Sequence, residues 1–143
     1  MNDEHFSRLE RMYLAAPCNE YYRPRIKVGD GTAEVILPIG PQLFHSAGAA
    51  HGAVYFKGID DAAFFAANSL VEDVFVLTVN LNVYLSRPVT AGELRAVGRV
   101  VTRTKSLITA EAILTNDAGA EVGRGTGLFA LSRIALGTAQ GYG

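Results

Sequence analysis

His51-Gly52 is the first pair of residues whose types suggest chemistry, because it stands where a long apolar helix is expected to begin. The first turn of a helix has free backbone N–H groups and the positive end of the helix dipole. Gly52 has no side chain to keep a ligand from its N–H, so this amide could polarise a carbonyl oxygen as an oxyanion hole does. The alternative is that Gly52 only joins a loop to the helix and that His51 is a polar residue at the helix start.

Asp60 is the second candidate, because an apolar helix seldom contains a carboxylate without a reason. Burial raises the proton affinity of a carboxyl group, which would make Asp60 a general base, or it could act as a nucleophile. The alternative is an ion pair with Lys57. The four-residue spacing of Lys57 and Asp61 suits an ion pair better, however, so that explanation fits Asp61 more than Asp60.

The spacing along the helix decides how the two candidates could act together. A helix rises about 1.5 Å per residue, so the start of the helix and Asp60 are separated by roughly 12–13 Å. No single carbonyl group can contact both. If both act on one carbon atom, they must come from two copies of the chain whose helices lie antiparallel. The spacing therefore predicts an obligate homodimer with paired sites at its interface.

Hydrophobic periodicity predicts the elements that must position these residues. Residues 51–70 are apolar on nearly all sides, and the charged residues among them indicate a helix enclosed by protein rather than by lipid. An amphipathic pattern predicts a first helix over about residues 2–16. Turn residues divide the remainder into strands, and the first two form a hairpin around Gly29-Asp30-Gly31. The predicted strands cover residues 22–28, 32–39, 77–86, 93–103, 107–115 and 120–133.

This order of elements predicts an α+β domain in which an antiparallel sheet curls around one apolar helix. In residues 77–86, alternation predicts one apolar face made of Leu77, Val79, Leu81, Val83 and Leu85. The last strand carries glycines on one face, at 123, 125 and 127, which favours close packing and leaves a groove for a pantetheine arm as the alternative. Glycines in residues 134–143 predict a flexible tail.

Composition limits the possible functions of the 143 residues, a length typical of a single domain. With a net charge of -1 the chain has no excess of basic residues to bind a phosphate backbone, so we expect no nucleic-acid partner. There is no signal-peptide pattern and no uncharged apolar run of about 18 residues, so we expect a cytoplasmic protein that does not cross a membrane. Cys18, the single cysteine, excludes an internal disulfide, and His5, His45 and His51 lack the spacing of metal ligands.

The run Gly48-Ala49-Ala50-His51-Gly52-Ala53, followed by Asp60 nine residues after His51, resembles the hot-dog fold acyl-CoA thioesterases. The phenylacetate-degradation branch of that family is the most similar. The resemblance covers about residues 25–133 and implies a sheet of five to six antiparallel strands wrapped around one long buried helix. It also implies an acyl-CoA substrate, a homodimer or a dimer of dimers, and no cofactor, since coenzyme A is part of the substrate.

The resemblance also implies roles for individual residues. The Gly52 N–H would bind the thioester carbonyl, and Asp60 of the partner subunit would be the general base or nucleophile. Thr78 matches a Ser or Thr that orients the attacking water, although it would face away from the helix unless a bulge or the partner subunit intervenes. His45 stands where the family usually has Asn or Gln, and Ala53 replaces a second glycine. The remaining candidates for substrate binding are His51, Asn68, Phe56 and Phe64.

The expected activity is hydrolysis of an acyl thioester to a free acid and a thiol, by water attack or through an anhydride. Two other functions remain open. A hot-dog hydratase or dehydratase would use His45 and Asp60 as its acid–base pair. A non-catalytic acyl-CoA-binding protein would keep the fold without turnover. Phe56 and Phe64 are most simply core residues, and one of them would line an acyl pocket.

Overall fold

The long apolar segment forms helix α3, Gly52–Asn68, in the computed structural model, which describes residues 2–143. His51 caps its first turn, and most residues of the helix are buried. The prediction of a buried helix over 51–70 is therefore correct to within two residues at each end. One stripe of α3, which includes Phe56, is not covered by the rest of the chain.

Six antiparallel strands form one sheet around α3, which confirms the predicted α+β hot-dog fold. The order across the sheet is β1-β2-β4-β5-β6-β3, so β3 lies at one edge and pairs only with β6 among the described strands. The central strands carry the residues that pack on the helix. The strands are β1 Arg25–Gly29, β2 Thr32–Pro38, β3 Val74–Leu85, β4 Glu93–Arg103, β5 Leu107–Thr115 and β6 Glu121–Ala135.

Glycines allow the sheet to approach α3 closely. A Cβ atom on Gly125 would lie 2.8 Å from Cγ2 of Ile59 and 2.7 Å from the carbonyl oxygen of Asn82. A Cβ atom on Gly98 of β4 would lie 2.9 Å from the backbone nitrogen of Ala63. Real Cβ atoms avoid such distances, so these positions require glycine. The geometry supports close packing, rather than a pantetheine groove, as the reason for the glycines in β6.

The N-terminal helix α1, Asp3–Ala15, agrees with the amphipathic helix predicted over 2–16. Its apolar face packs beside β1, with Leu9 fully buried. A short helix α2, Asn19–Tyr22, follows, and it was not predicted. Arg23 then adopts a left-handed conformation with φ 51°, which delays the first strand until Arg25.

The segment after β6 folds back onto α1, whereas the sequence predicts a flexible tail over 134–143. Residues Thr138–Gln140 form a 3-10 turn, and the side chain of Tyr142 is buried. The glycines of this segment therefore serve a turn rather than a free end. No helix in the part of the chain that the structure describes is long and apolar enough to span a bilayer.

Candidate active site

Asp60 and Thr78 meet on one side of α3. The Thr78 hydroxyl donates a hydrogen bond to Oδ1 of Asp60, with an oxygen–oxygen distance of 2.9 Å. Asp60 is partly buried near the middle of the helix, and Thr78 lies on the edge strand β3. The structure therefore brings together two of the four residues that the sequence assigns to catalysis.

A bulge in β3 explains why Thr78 faces the helix. Thr78 pairs with Phe129 and Asn80 pairs with Leu128, so Val79 is an extra residue without a partner on β6. An extra residue reverses which side chains point inward, because strand side chains alternate with a period of two. Val76 and Thr78 face inward before the bulge, whereas Leu81 and Val83 pack on the core after it.

The predicted apolar face of β3 is therefore wrong for its first two residues. Leu77 and Val79 are exposed by 44% and 58%, respectively, because they precede or occupy the bulge. Only the residues after the bulge follow the predicted face. Apolar and polar residues continue to alternate through residue 79, so the sequence does not show that the inward-facing positions shift by one residue there.

The surroundings of Asp60 favour its protonated form. Burial raises the pKa of Asp60 above its ordinary value, and the hydrogen bond from Thr78 acts in the opposite direction. The negative charge of Asp61 raises the pKa further, and Lys57 lowers it. Asp60 is thus a stronger base, once ionised, than an exposed aspartate, which suits a group that must accept a proton.

Asp61 belongs to a separate polar network that anchors α1 to α3. Nζ of Lys57 lies 2.9 Å from Oδ2 of Asp61, and the Tyr13 hydroxyl donates to the same oxygen at 2.6 Å. The Lys57 ammonium also lies 4.9 Å from the centre of the Tyr22 ring. The ion pair proposed from the four-residue spacing is therefore present. Sequence reasoning missed Tyr13, because nothing local indicates that α1 reaches this part of α3.

A cavity of about 740 Å³ opens beside Asp60 and Thr78. Its walls include Phe64, Phe65 and Phe75, and the Phe64 and Phe75 rings are centred 5.1 Å apart. Lys57 and Asp61 also border it, so the cavity combines an aromatic wall with a charged one. A cavity of this size and mixed lining is typical of a site for an organic ligand. Phe64 was predicted to bind substrate, and it borders this cavity.

Gly52 and His45 lie together at the other end of α3, beside a smaller cavity of about 280 Å³. The Gly52 N–H has no hydrogen-bond acceptor within residues 2–143. His45 is exposed, and its Nδ1 accepts a hydrogen bond from the Ala47 N–H at 3.0 Å. A free N–H on the first turn of a helix is suited to a carbonyl oxygen that gains negative charge.

Three other predicted residues do not border either cavity. Nδ1 of His51 accepts a hydrogen bond from the Ala53 N–H at 2.9 Å, which is the helix-capping alternative. Phe56 is 44% exposed and belongs to the uncovered stripe of α3. Asn68 is fully buried, and its amide binds Val71, Val74 and Val76 in the connection to β3. Asn68 therefore supports this connection instead of contacting a substrate.

The two halves of the candidate site are separate within one chain. Gly52 and Asp60 are eight residues apart on α3, which corresponds to about 12 Å along the axis, and they border different cavities. One chain therefore cannot present both groups to the same carbon atom. Across residues 2–143, no three His, Cys, Asp or Glu side chains are grouped so that they could hold a metal ion.

Comparison with known proteins identifies the family of the chain. Residues 47–122, just over half of the chain, match the family model of the thioesterase superfamily. No curated protein matches the chain. The matched range contains Gly52, Asp60 and Thr78, the residues on which the geometry of the candidate site depends.

Solved structures show that the fold is shared. The chain is similar to the PaaI protein of E. coli, from the phenylacetic acid degradation operon, with a TM-score of 0.86 and 20% identity over 94% of this chain and 98% of that one. A conserved protein of Pseudomonas aeruginosa gives 0.79 and 27%, covering 85% and 98%. A thioesterase of Haemophilus influenzae gives 0.76 and 13%, covering 85% and 87%. With the family model and the fold in agreement, the chain belongs to the thioesterase superfamily.

Proposed function

We propose that this protein hydrolyses an acyl-CoA to a free acid and coenzyme A at a site shared by two subunits. The hydrogen bond between Thr78 and Asp60, at the wall of a cavity that Phe64 and Phe75 also line, is the observation that carries the proposal. The site thus places a carboxylate of raised pKa and a hydroxyl group next to a cavity that can hold an acyl group. The membership of the thioesterase superfamily supports the same type of substrate.

Water attack on the thioester carbon is the reaction that these groups suit. The Thr78 hydroxyl donates to Oδ1 of Asp60, so its lone pairs can accept a hydrogen bond from a water molecule. Asp60 takes a proton from that water as the new C–O bond forms, and the Gly52 N–H of the other subunit stabilises the oxyanion. The C–S bond then breaks, and the proton passes from Asp60 to the thiolate.

An anhydride route uses the same residues. The Asp60 carboxylate attacks the thioester carbon directly, the thiolate leaves, and water then cleaves the mixed anhydride. His45 lies in the same small cavity as Gly52 and could hydrogen-bond the thioester there. Incorporation of heavy oxygen from labelled water into Asp60 during a single turnover would identify the anhydride route, since direct water attack leaves the carboxylate unlabelled.

A second copy of the chain supplies what the single chain lacks. β3 is an edge strand whose outer side has no hydrogen-bonded strand among residues 2–143, and it exposes Leu77, Val79 and Tyr84. Phe56 of α3 is exposed as well. Unpaired apolar edges are sites of chain association. Two antiparallel copies would bring Gly52 of one chain toward Asp60 of the other.

A panel of acyl thioesters tests the function. We expect release of free thiol from at least one short, long or aromatic acyl-CoA, measured with a thiol reagent, and a dimer or larger oligomer by light scattering. Acyl groups on a carrier protein are assayed in parallel. Loss of enoyl absorbance without thiol release would instead indicate a hydratase, and saturable binding without turnover would indicate an acyl-CoA-binding protein. A strictly monomeric active protein would contradict the shared site.

Thr78→Val tests how the hydroxyl group acts on Asp60. Removing the hydrogen bond removes an influence that lowers the pKa of Asp60, so this pKa rises further. A general base works only when ionised, and the acidic limb of the pH profile of kcat/KM should therefore move to higher pH. Thr78→Ser keeps the hydroxyl and is the matched control. An unmoved acidic limb in Thr78→Val would contradict the coupling.

A further inference from the structure

The segment after β6 forms part of the wall of the large cavity. Thr138, Ala139, Gln140 and Gly141 all border the cavity that Asp60 and Thr78 border. This segment, residues 136–142, is called the C-terminal segment below. It has no part in the sheet, since β6 ends at Ala135. One backbone hydrogen bond, from the Leu136 N–H to the Asp73 carbonyl at 3.1 Å, ties its start to the rest of the chain. Beyond that bond, its place over the cavity depends on packing and side-chain contacts.

A buried histidine holds the C-terminal segment in place. The hydroxyl oxygen of Tyr142 lies 2.7 Å from Nδ1 of His5, and Nε2 of His5 lies 2.9 Å from the carbonyl oxygen of Asn68. A carbonyl can only accept, so Nε2 of His5 carries the proton, and in neutral His5 Nδ1 accepts from the Tyr142 hydroxyl. The His5 side chain thus joins α1, the end of α3 and the C-terminal segment.

Two further contacts seat the segment on α1. Gly141 has φ +83°, a conformation that favours glycine, and a Cβ atom there would lie 3.2 Å from Cβ of Ala15. The Arg8 guanidinium lies 5.7 Å from the centre of the Tyr142 ring. The turn at Thr138–Gln140 is closed by a hydrogen bond from the Gly137 N–H to Oε1 of Gln140. The segment is thus a compact turn attached at one end by β6 and at the other by Tyr142.

We propose that the C-terminal segment limits the size of the acyl group that the cavity accepts, and that the hydrogen bond between Tyr142 and His5 sets this limit by holding the segment in place. The proposal rests on the function proposed above, with the cavity beside Asp60 as the acyl pocket. Met12, Ala15 and Ala16 of the α1 region border the cavity next to the segment. Short and medium acyl groups fit within these walls, whereas a long chain must displace the segment and break the contact between Tyr142 and His5.

Three variants test the size limit in both directions. Deletion of residues 137–143 removes the wall, Tyr142→Phe removes only its hydrogen bond, and Ala139→Trp adds bulk beside the cavity. Tyr21→Phe is the matched control for Tyr142→Phe, because its hydroxyl bonds the Gln42 carbonyl away from this cavity. Each variant is first compared with the wild type by circular dichroism and light scattering. Ala139→Trp and Tyr142→Phe keep the test decisive if the deletion variant does not fold.

Two quantities are measured for each folded variant, and one of them does not require catalytic turnover. The first is kcat/KM for butyryl-, octanoyl- and palmitoyl-CoA. The second is the dissociation constant of the matching S-alkyl coenzyme A thioethers, which cannot be hydrolysed, by titration calorimetry. We expect the deletion to raise the palmitoyl-to-butyryl ratio of kcat/KM by about tenfold or more, a size typical of selection by an apolar pocket. Tyr142→Phe should raise it less, Ala139→Trp should lower it, and Tyr21→Phe should leave it unchanged.

The two measurements distinguish failure of the proposed size limit from failure of the proposed function. Unchanged chain-length ratios in both measurements for the deletion, or for both substitutions if the deletion variant does not fold, would overturn the size limit and leave the hydrolysis intact. If no thioester is hydrolysed by any form, the proposed function is wrong. The thioether dissociation constants still decide the size limit in that case, and absence of any thioether binding would overturn it too.

Discussion

Asp60→Asn is expected to lower kcat by about 10³-fold, within the range that a general base contributes. Asparagine has nearly the same shape and can still accept the hydrogen bond from Thr78, but it cannot take a proton from water or attack a carbonyl carbon. The measurement is thiol release with the best acyl-CoA from the substrate panel. Asp73→Asn, at an exposed loop position, is the matched control and should keep wild-type activity.

The stability of Asp60→Asn gives an independent check. Burial raises the pKa of Asp60, so the folded state favours the protonated form. The ionised carboxylate therefore makes folding less favourable as pH rises through the folded-state pKa, and a neutral asparagine removes this cost. Asp60→Asn should consequently unfold at the same urea concentration as the wild type or a higher one at pH 7. Retention of most of the activity would contradict the assignment, and lower stability would contradict the electrostatic explanation.

Gly52→Pro is expected to lower kcat by about 10²–10³-fold, the usual effect of losing one oxyanion-hole donor. Proline has no N–H, yet it is well tolerated at the first position of a helix. The preceding residue, His51, has φ -61° and ψ 146°, an extended conformation that proline favours before it. The substitution therefore removes the donor with little strain on the helix.

Gly52→Ala is the matched control for Gly52→Pro. It adds a Cβ atom about as proline does but keeps the N–H, and that atom would lie 3.1 Å from the flexible end of Leu85. A similar loss in both variants would show that space matters at Gly52 and would contradict a role for its N–H. Circular dichroism and light scattering confirm that fold and oligomeric state are retained.

Mixing the two inactive variants tests whether the site is shared. In a heterodimer of Gly52→Pro and Asp60→Asn, one site carries both changes and the other carries neither. Random exchange of subunits makes half of the dimers mixed, so activity should recover to about a quarter of the wild-type value. If Gly52 and Asp60 of the same chain served one site, mixing would restore nothing.

The central helix and the succession of helices and strands along the chain could be predicted from the sequence, because both depend on local patterns. A run rich in alanine and phenylalanine with few polar residues specifies a buried helix wherever it lies in the chain. The Asp30-Gly31 turn and the alternation of the strands act over a few residues. Helix geometry alone converts the eight-residue spacing of Gly52 and Asp60 into a distance of about 12 Å. That distance predicts a site between two chains.

Other features depend on contacts between distant parts of the chain, and no local pattern reports them. The bulge at Val79 arises from the pairing of β3 with β6, and it turns Thr78 toward Asp60. Asn68 has the residue type of a binding side chain, but the fold encloses it under the start of β3. Residues 134–143 have the composition of a loose tail, yet Tyr142 is buried against His5.

The elements and the types of chemical group along α3 follow from local patterns, since hydrophobic periodicity and helical rise act within a few residues. Which of these groups meet, and what encloses them, depends on how the whole chain packs. The large cavity is built from α1, α3, β3 and the C-terminal segment, which come from opposite ends of the chain. Such contacts arise only when the whole chain packs, because their energy comes from burying surfaces far apart in sequence.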